Sequence, residues 1–277
     1  MAERRIVAVV SDFGADSFYV GVMKGVVLAA APDSRVVDLT HTIPPHAVDQ
    51  ASFILDTVSD FFPAGTVFLA VVDPGVGGAR DNLVVEADGR YIVGADNGIA
   101  TEVLARAKRA APYVINDEKI GAFRSAPPTG RTFLGRDVFA PAAAALAAGS
   151  PPASIGSPAR SAPVALDLPA VSTGKGVVAG RARYIDGFGN VLTGITRAQL
   201  TSVFGDLDPA KIVASVGGAE IGELCSYYSQ RPKGTLMAVL NSWDRVELSI
   251  CEGRAADRFS DRSFEELVVE LREGGKR

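Results

Sequence analysis

Three aspartates early in the chain each close an apolar, β-branched run: Asp12 after "IVAVVS", Asp38 after "RVV" with His41 three residues on, and Asp73 after "FLAVV". A carboxylate so placed can accept hydrogen bonds from two vicinal hydroxyls at once, as a ribose offers, or can act on water as a base. Around Asp73 the stretch "VVDPGVGGAR" adds three glycines and then the guanidinium of Arg80. A dinucleotide fingerprint would need its third glycine where Arg80 stands, and a phosphate-binding P-loop would need Gly-Lys-Ser/Thr where "GARDN" stands. Neither fits, so the glycines are read as letting the turn curl close to a ligand. Asp73 then faces inward, and Arg80 folds back to pair with it or to orient a polar group. Any one of these aspartates alone is better explained as a helix N-cap or turn residue; three together at strand ends favour a site. "SDFG" at 11–14 is not a kinase motif, because no His-Arg-Asp catalytic loop accompanies it.

Two further segments place polar and aromatic groups in glycine-rich surroundings. "TFLGRDVFAP", 132–141, puts Gly135, Arg136 and Asp137 at a helix start, where a capped N-terminus with an internal ion pair accounts for Asp137 but less well for Phe133 and Gly135. "YIDGFGNVLTG", 184–194, holds Asp186, Phe188 and Asn190 in a bend. That bend is either a plain hairpin turn or an aromatic and an amide placed to stack on, and hydrogen-bond, a nucleoside.

The elements that must carry these residues are set by hydrophobic periodicity. "RIVAVVSD", "RVVDLT" and "GTVFLAVVD" read as strands, separated by the helical patterns "YVGVMKGVVLAAA" and "AVDQASFILDTVSDFF". Continuous apolar strands alternating with helices predict an α/β domain with a mainly parallel sheet, its ligands bound beyond the carboxyl ends of the strands. A hairpin with its turn at Asp88-Gly89 and two more helices, "NGIATEVLARA" and "DVFAPAAAALAAG", complete a domain over 1–150. Residues 151–173, rich in proline, serine and alanine, read as a linker. Short alternating segments over 174–277 predict a smaller all-β, barrel-like domain, closed by a polar helical tail from about Ser263.

Composition narrows the partners. The 277 residues are 47 % hydrophobic, and 28 basic against 32 acidic residues leave a net charge of −4 without a single-sign run. This offers nucleic acid or an anionic membrane no footprint and favours a small-molecule partner. The basic start is followed by only a short apolar run ending at Asp12, and no stretch is long enough to span a bilayer, so the chain is read as cytoplasmic. Cys225 and Cys251 lie far apart, and His41 and His46 are the only histidines. A structural zinc site is therefore not expected, and the cysteines are read as buried free thiols.

Taken in order, "SDFGADSFYVGVMKG", "DLTHTIPPHAVDQASFIL", "VVDPGVGGAR", "GADNG", "TFLGRDVFAPAAAALAAG", "IDGFGN" and "NSWDRVELSI" resemble the S-adenosyl-L-methionine (SAM) hydroxide adenosyltransferases. These are relatives of the fluorinases and chlorinases that attack the same substrate with halide. The resemblance implies an α/β domain followed by a barrel-like one, and a homotrimer with active sites at subunit interfaces, formed by one subunit's first domain and its neighbour's second. It implies hydrolysis of SAM to adenosine and L-methionine, with SAM as substrate and no separate cofactor or metal. Asp12 would hold the ribose hydroxyls, Phe188 and Asn190 would contact adenosine, Tyr228 would stack, and Ser242 would help grip the methionine carboxylate. Trp243 stands where the halogenases follow that serine with arginine, and His46 where fluorinases have a tryptophan beside the substrate. The substrate-contacting set further takes in Ser17, Val76, Phe133, Gly135 and Asp186.

The nucleophile decides the function within this superfamily. Halide-using relatives have a neutral residue at the position of Asp73, as a carboxylate would repel halide in a small dry pocket. Asp73, oriented by Arg80, suits water. The hydroxide enzymes complete the trio with a histidine in "FHGRD", where this chain has Leu134, which leaves slow hydrolysis, a substitute from His46 or a changed nucleophile open. The alternatives to hydrolysis are a chloride adenosyltransferase and an adenosine-binding module of weakened catalysis.

Overall fold

A computed structural model describes residues 5–259 and 267–274. The chain divides into two compact units, Met1–Asp167 and Leu168–Arg277.

In the first unit the strands are β1 (Ile6–Ser11), β2 (Arg35–Thr40), β3 (Val67–Val71), β4 (Asn82–Ala87), β5 (Arg90–Ala95), β6 (Ala110–Ile115) and β7 (Gly156–Pro158). Four helices matter to the sheet: α1 (Phe18–Ala30), α2 (Val48–Ser59), α3 (Thr101–Arg106) and α4 (Ala140–Ala147). The β-branched runs of β1 and β3 are buried along nearly their whole length because helices cover both faces. Val7, Val9, Val67, Leu69 and Val71 meet Met23, Val26 and Val27 of α1 and the alanine-rich α4 in one core. On the other face, Leu55 of α2 and Val103 of α3 lie over Phe68 and Ile92.

The sheet order is β2-β1-β3-β5-β4-β6-β7. The pairs β1–β2, β1–β3 and β3–β5 are parallel, and β4–β5, β4–β6 and β6–β7 are antiparallel. The expectation of a mainly parallel sheet is thus corrected to a mixed one. The reason is the Asp88-Gly89 turn, where both residues have positive φ (45° and 81°) and fold β4 directly back on β5. Part of the stretch read as a linker also belongs here, since β7 pairs with β6.

In the second unit the strands are β8 (Ser172–Gly174), β9 (Val177–Ile185), β10 (Val191–Thr196), β11 (Ile212–Val216), β12 (Ala219–Glu223), β13 (Leu236–Leu240), β14 (Arg245–Ile250) and β15 (Val268–Glu273). They form one sheet ordered β12-β11-β15-β9-β10-β14-β13, with β8 beside β9. Every pairing is antiparallel. Just past β12 the Cys225 N–H donates to the Ala238 carbonyl and its own carbonyl accepts from Leu240, which curls the sheet into a nearly closed barrel. Two expectations need correction. The unit is not all-β: Arg197–Phe204 is a helix, α5, started by a Thr196/Gln199 capping box. Residues 263–266 of the expected helical tail lie outside the described residues, and beyond them the chain forms strand β15, whose Val269 and Leu271 fill the barrel core.

Candidate active site

The first unit brings its candidate residues together at the carboxyl ends of β1 and β3. The chain passes from β1 to β2 on one side and returns to β3 on the other, so the crevice between β1 and β3 is the topological switch point where open α/β sheets bind ligands. Ser11 pairs with Val71 in register. Asp12 and Asp73 therefore emerge from neighbouring strands about 5 Å apart.

Asp73 and Arg80 meet as the sequence pattern foretold. Arg80 Nε donates to Asp73 Oδ1 at 3.0 Å and its Nη2 donates to Oδ2, a bidentate pair with side chains only 6 % and 15 % exposed. Arg80 Nη1 donates to the Asn82 side-chain oxygen (2.7 Å) and the Asp81 carbonyl (3.1 Å), so the guanidinium is fixed from behind. The turn between them depends on Gly77: its φ is +79°, and a Cβ there would stand 2.9 Å from the Arg131 carbonyl oxygen. Val76 is exposed on the same turn. Asn97 of "GADNG" donates to the Val72 carbonyl at 2.9 Å, fixing the backbone one residue before Asp73.

Asp12 accepts the His46 N–H on Oδ2 at 2.9 Å. His46 comes after two prolines and adopts φ +72°, rare for a residue with a side chain, and it is this conformation that aims its N–H. Beneath Asp12 runs a chain of polar contacts: Ser11 Oγ to His41 Nδ1 (2.8 Å), His41 Nε2 to Asp38 Oδ1 (2.9 Å), and Lys24 Nζ to Asp38 Oδ2 (2.6 Å). Burial alone would raise the Asp38 carboxyl, but the hydrogen bonds and charges of Lys24 and His41 outweigh it and hold it below the usual range. His41 and Asp38 thus brace the strand ends.

Phe133 joins an aromatic wall. Its ring lies edge-on to Phe13 (5.9 Å) and Tyr19 (4.9 Å), and Arg136 sits over it at 5.5 Å. Gly135 is required by packing, since a Cβ would come 2.8 Å from Met23 Sδ and 3.0 Å from Phe133 Cε2. The helix starts here as a π-turn, Gly135–Phe139, before continuing as α4. Asp137 forms the expected ion pair with Arg136 but caps nothing with its side chain. Leu134 packs against the core. Ser17 precedes α1 without donating or accepting a side-chain capping bond.

In the second unit Asp186 organises its bend: Oδ1 accepts the N–H groups of Phe188 and Asn190, each at 2.9 Å, and Oδ2 accepts the Asn190 side-chain amide at 3.0 Å. The Phe188 ring is left 79 % exposed, while Asn190 is buried. Burial first, then the neighbouring Glu247 carboxylate and the charge of Asp186, push the Tyr228 phenol up. Ser242 is exposed on the turn after β13, whose backbone is held by Asn241. The motif spacing did not reveal Glu247, Asn82 or Asn97. Asn97 and Glu247 lie within "GADNG" and "NSWDRVELSI", and Asn82 just beyond "VVDPGVGGAR", but nothing in their spacing singles them out. Both cysteines are free and buried, as expected. Among the described residues, no group of three or more His, Cys, Asp or Glu side chains could hold a metal ion, and no helix is long and apolar enough to cross a membrane.

Residues 7–156 match the SAM hydroxide adenosyltransferase N-terminal domain and residues 180–267 its C-terminal domain. The chain belongs to the SAM hydroxide adenosyltransferase family. It is 35 % identical over 258 residues to the (R)-S-adenosyl-L-methionine hydrolase of Thermus thermophilus, covering 91 % of this chain and 94 % of that one. A fluorinase from Actinopolyspora mzabensis is more distant, at 27 % identity over 80 % of this adenosyltransferase-family chain and 85 % of its own. Among solved structures, an uncharacterized conserved protein from Thermotoga maritima superposes with a TM-score of 0.86 at 30 % identity, covering 96 % of this chain and all of that one.

Proposed function

We propose that this family member hydrolyses S-adenosyl-L-methionine to adenosine and L-methionine. The observation that carries this reading is the buried Asp73–Arg80 pair at the switch point. A carboxylate there repels halide, and each of its oxygens keeps a lone pair for a water proton while Arg80 holds its orientation. The greater identity to a SAM hydrolase than to a fluorinase points the same way.

Water attacks C5′ of the ribose in line with the sulfonium. The C5′–O bond forms as the C5′–S bond breaks, and methionine departs as a neutral thioether. The proton lost by water passes to Asp73 and on to solvent. The sulfonium needs no activation, so the reaction calls for no cofactor or metal, and the protein's contribution is positioning and exclusion of competing groups. Asp12 takes the two ribose hydroxyls, with His46, Ser17 and Val76 bordering the substrate and Phe133 and Gly135 forming its apolar wall. Asp186 holds the bend from which Phe188 and Asn190 meet adenosine, Tyr228 stacks, and Ser242 meets the methionine carboxylate. Leu134 offers no proton path, so the reaction runs through Asp73 alone and is slower than with a histidine partner.

We further propose a cytoplasmic homotrimer in which the second unit of one subunit completes the site of its neighbour; a monomeric mass at micromolar concentration would refute it. Neither nucleic acid nor membrane is a partner. The activity is tested by incubating the purified chain with SAM, with and without chloride, and separating the nucleosides. Adenosine under both conditions is expected. Formation of 5′-chloro-5′-deoxyadenosine, or survival of all the SAM, would overturn the proposal.

A further inference from the structure

Strand β14 alternates unusually. Val246 and Leu248 fill the barrel core, while Arg245, Glu247 and Ser249 share the opposite face and are buried as well, Glu247 to 2 % exposure. Glu247 Oε2 accepts the Asn241 amide at 2.7 Å and Oε1 accepts the Ser249 hydroxyl at 2.9 Å, and the same carboxylate neighbours the Tyr228 phenol. Asn241 in turn uses its side-chain oxygen to accept the N–H groups of Trp243 (3.0 Å) and Arg245 (3.1 Å), which shapes the turn bearing Ser242. One buried carboxylate thus sits between the Tyr228 phenol and the turn bearing Ser242.

We propose that Glu247 is a positioning residue for substrate, holding the Tyr228 ring and the Ser242 turn in a single geometry. This rests on the reading that Tyr228 and Ser242 meet substrate. An apolar residue of similar size would fill the space with less desolvation. What the carboxylate adds is acceptors for the Asn241 amide and the Ser249 hydroxyl together with a charge beside the Tyr228 phenol. Tyr228 itself is 47 % exposed, so the network fixes a group that solvent or a ligand can reach.

The test is a double-mutant cycle of Glu247→Gln and Tyr228→Phe. Glutamine keeps the size, and the Tyr228 and Ser249 hydroxyls can turn to suit its amide. E247Q should raise KM for SAM about tenfold with kcat within about threefold, and the double variant should be no worse than the poorer single one. Alkaline titration of tyrosine absorbance gives a second readout. One tyrosine, absent in Y228F, should ionise at lower pH in E247Q, with Asp186 then its remaining acidic neighbour. Additive effects on KM, an unchanged KM with only a lowered melting temperature, or an unmoved tyrosine titration would overturn the proposal. Glu247→Asp carries the same cycle should E247Q not fold, since it keeps the charge but draws it away from Tyr228. If the wild-type chain does not turn over SAM, the function proposal fails separately, and calorimetry with adenosine replaces KM in the cycle.

Discussion

Asp73→Asn keeps the shape of the side chain and removes its charge. In the folded protein it places an amide where Arg80 presents two donors, so one of the two hydrogen bonds must be lost. Breaking a buried ion pair by removing one partner costs about 3–5 kcal/mol when the other charge is stranded. Arg80 is not stranded here, because the Asn82 side chain and Asp81 carbonyl still accept from it and the Phe139 ring lies 6.0 Å away. We therefore expect a smaller loss, about 2 kcal/mol, or a fall in Tm of roughly 4–8 °C for a chain of this size. Against an ordinary stability of about 5–15 kcal/mol this leaves the variant folded at 25 °C. Losing the base, in contrast, should lower kcat by about 10²–10⁴, equivalent to about 3–5 kcal/mol of barrier. The two effects separate cleanly: adenosine release at saturating SAM should collapse while circular dichroism at 25 °C is unchanged, and KM should move little because the proposed role of the carboxylate is on water. A folded Asp73→Asn variant with kcat within threefold of wild type would show that Asp73 is not the base.

Asp12→Asn should raise KM for SAM by about 10–100-fold, the worth of one charge-assisted hydrogen bond, with a smaller change in kcat; equal effects on both would refute the ribose assignment. Gly135→Ala forces a methyl against Met23 and Phe133 and should cost about 1–3 kcal/mol of stability, measured by urea unfolding. Asp38 titrates below its ordinary 3.8 in the folded chain, so its stabilising contribution is present above that pH and is lost as pH falls through the lower folded value. Wild type should accordingly exceed Asp38→Asn in stability at pH 5, and the difference should shrink as the pH is taken down through the Asp38 titration; a difference constant over that range would contradict the bracing network.

Much of the first unit was legible because its signals are local. The apolar runs of β1 and β3 and the acids that end them need no tertiary information, and the Asp73–Arg80 pair arises from a glycine turn that lets the chain fold back over seven residues. Sheet polarity was less legible, since the Asp88-Gly89 turn announces a hairpin but not which neighbours it will join. The segment "FEELVVELRE" carries glutamates at helical spacing, yet its alternating Val269 and Leu271 are claimed by the barrel as β15, and tertiary burial overrides propensity. Glu247 was invisible for a related reason: in "RVELSI" alternation marks it as solvent-facing, and only tertiary contacts such as the one from Asn241 show it to be buried. The need for glycine at 135 comes from Met23, more than a hundred residues away, and so could be flagged but not explained.

Direct attack of an Asp73-held water on C5′ is tested by turnover of SAM in 18O-labelled water with chloride present, followed by mass spectrometry of the nucleoside. We expect one 18O in the 5′-hydroxyl of adenosine, methionine free of label, and loss of the product in Asp73→Asn. Unlabelled adenosine or a chlorinated nucleoside would contradict it.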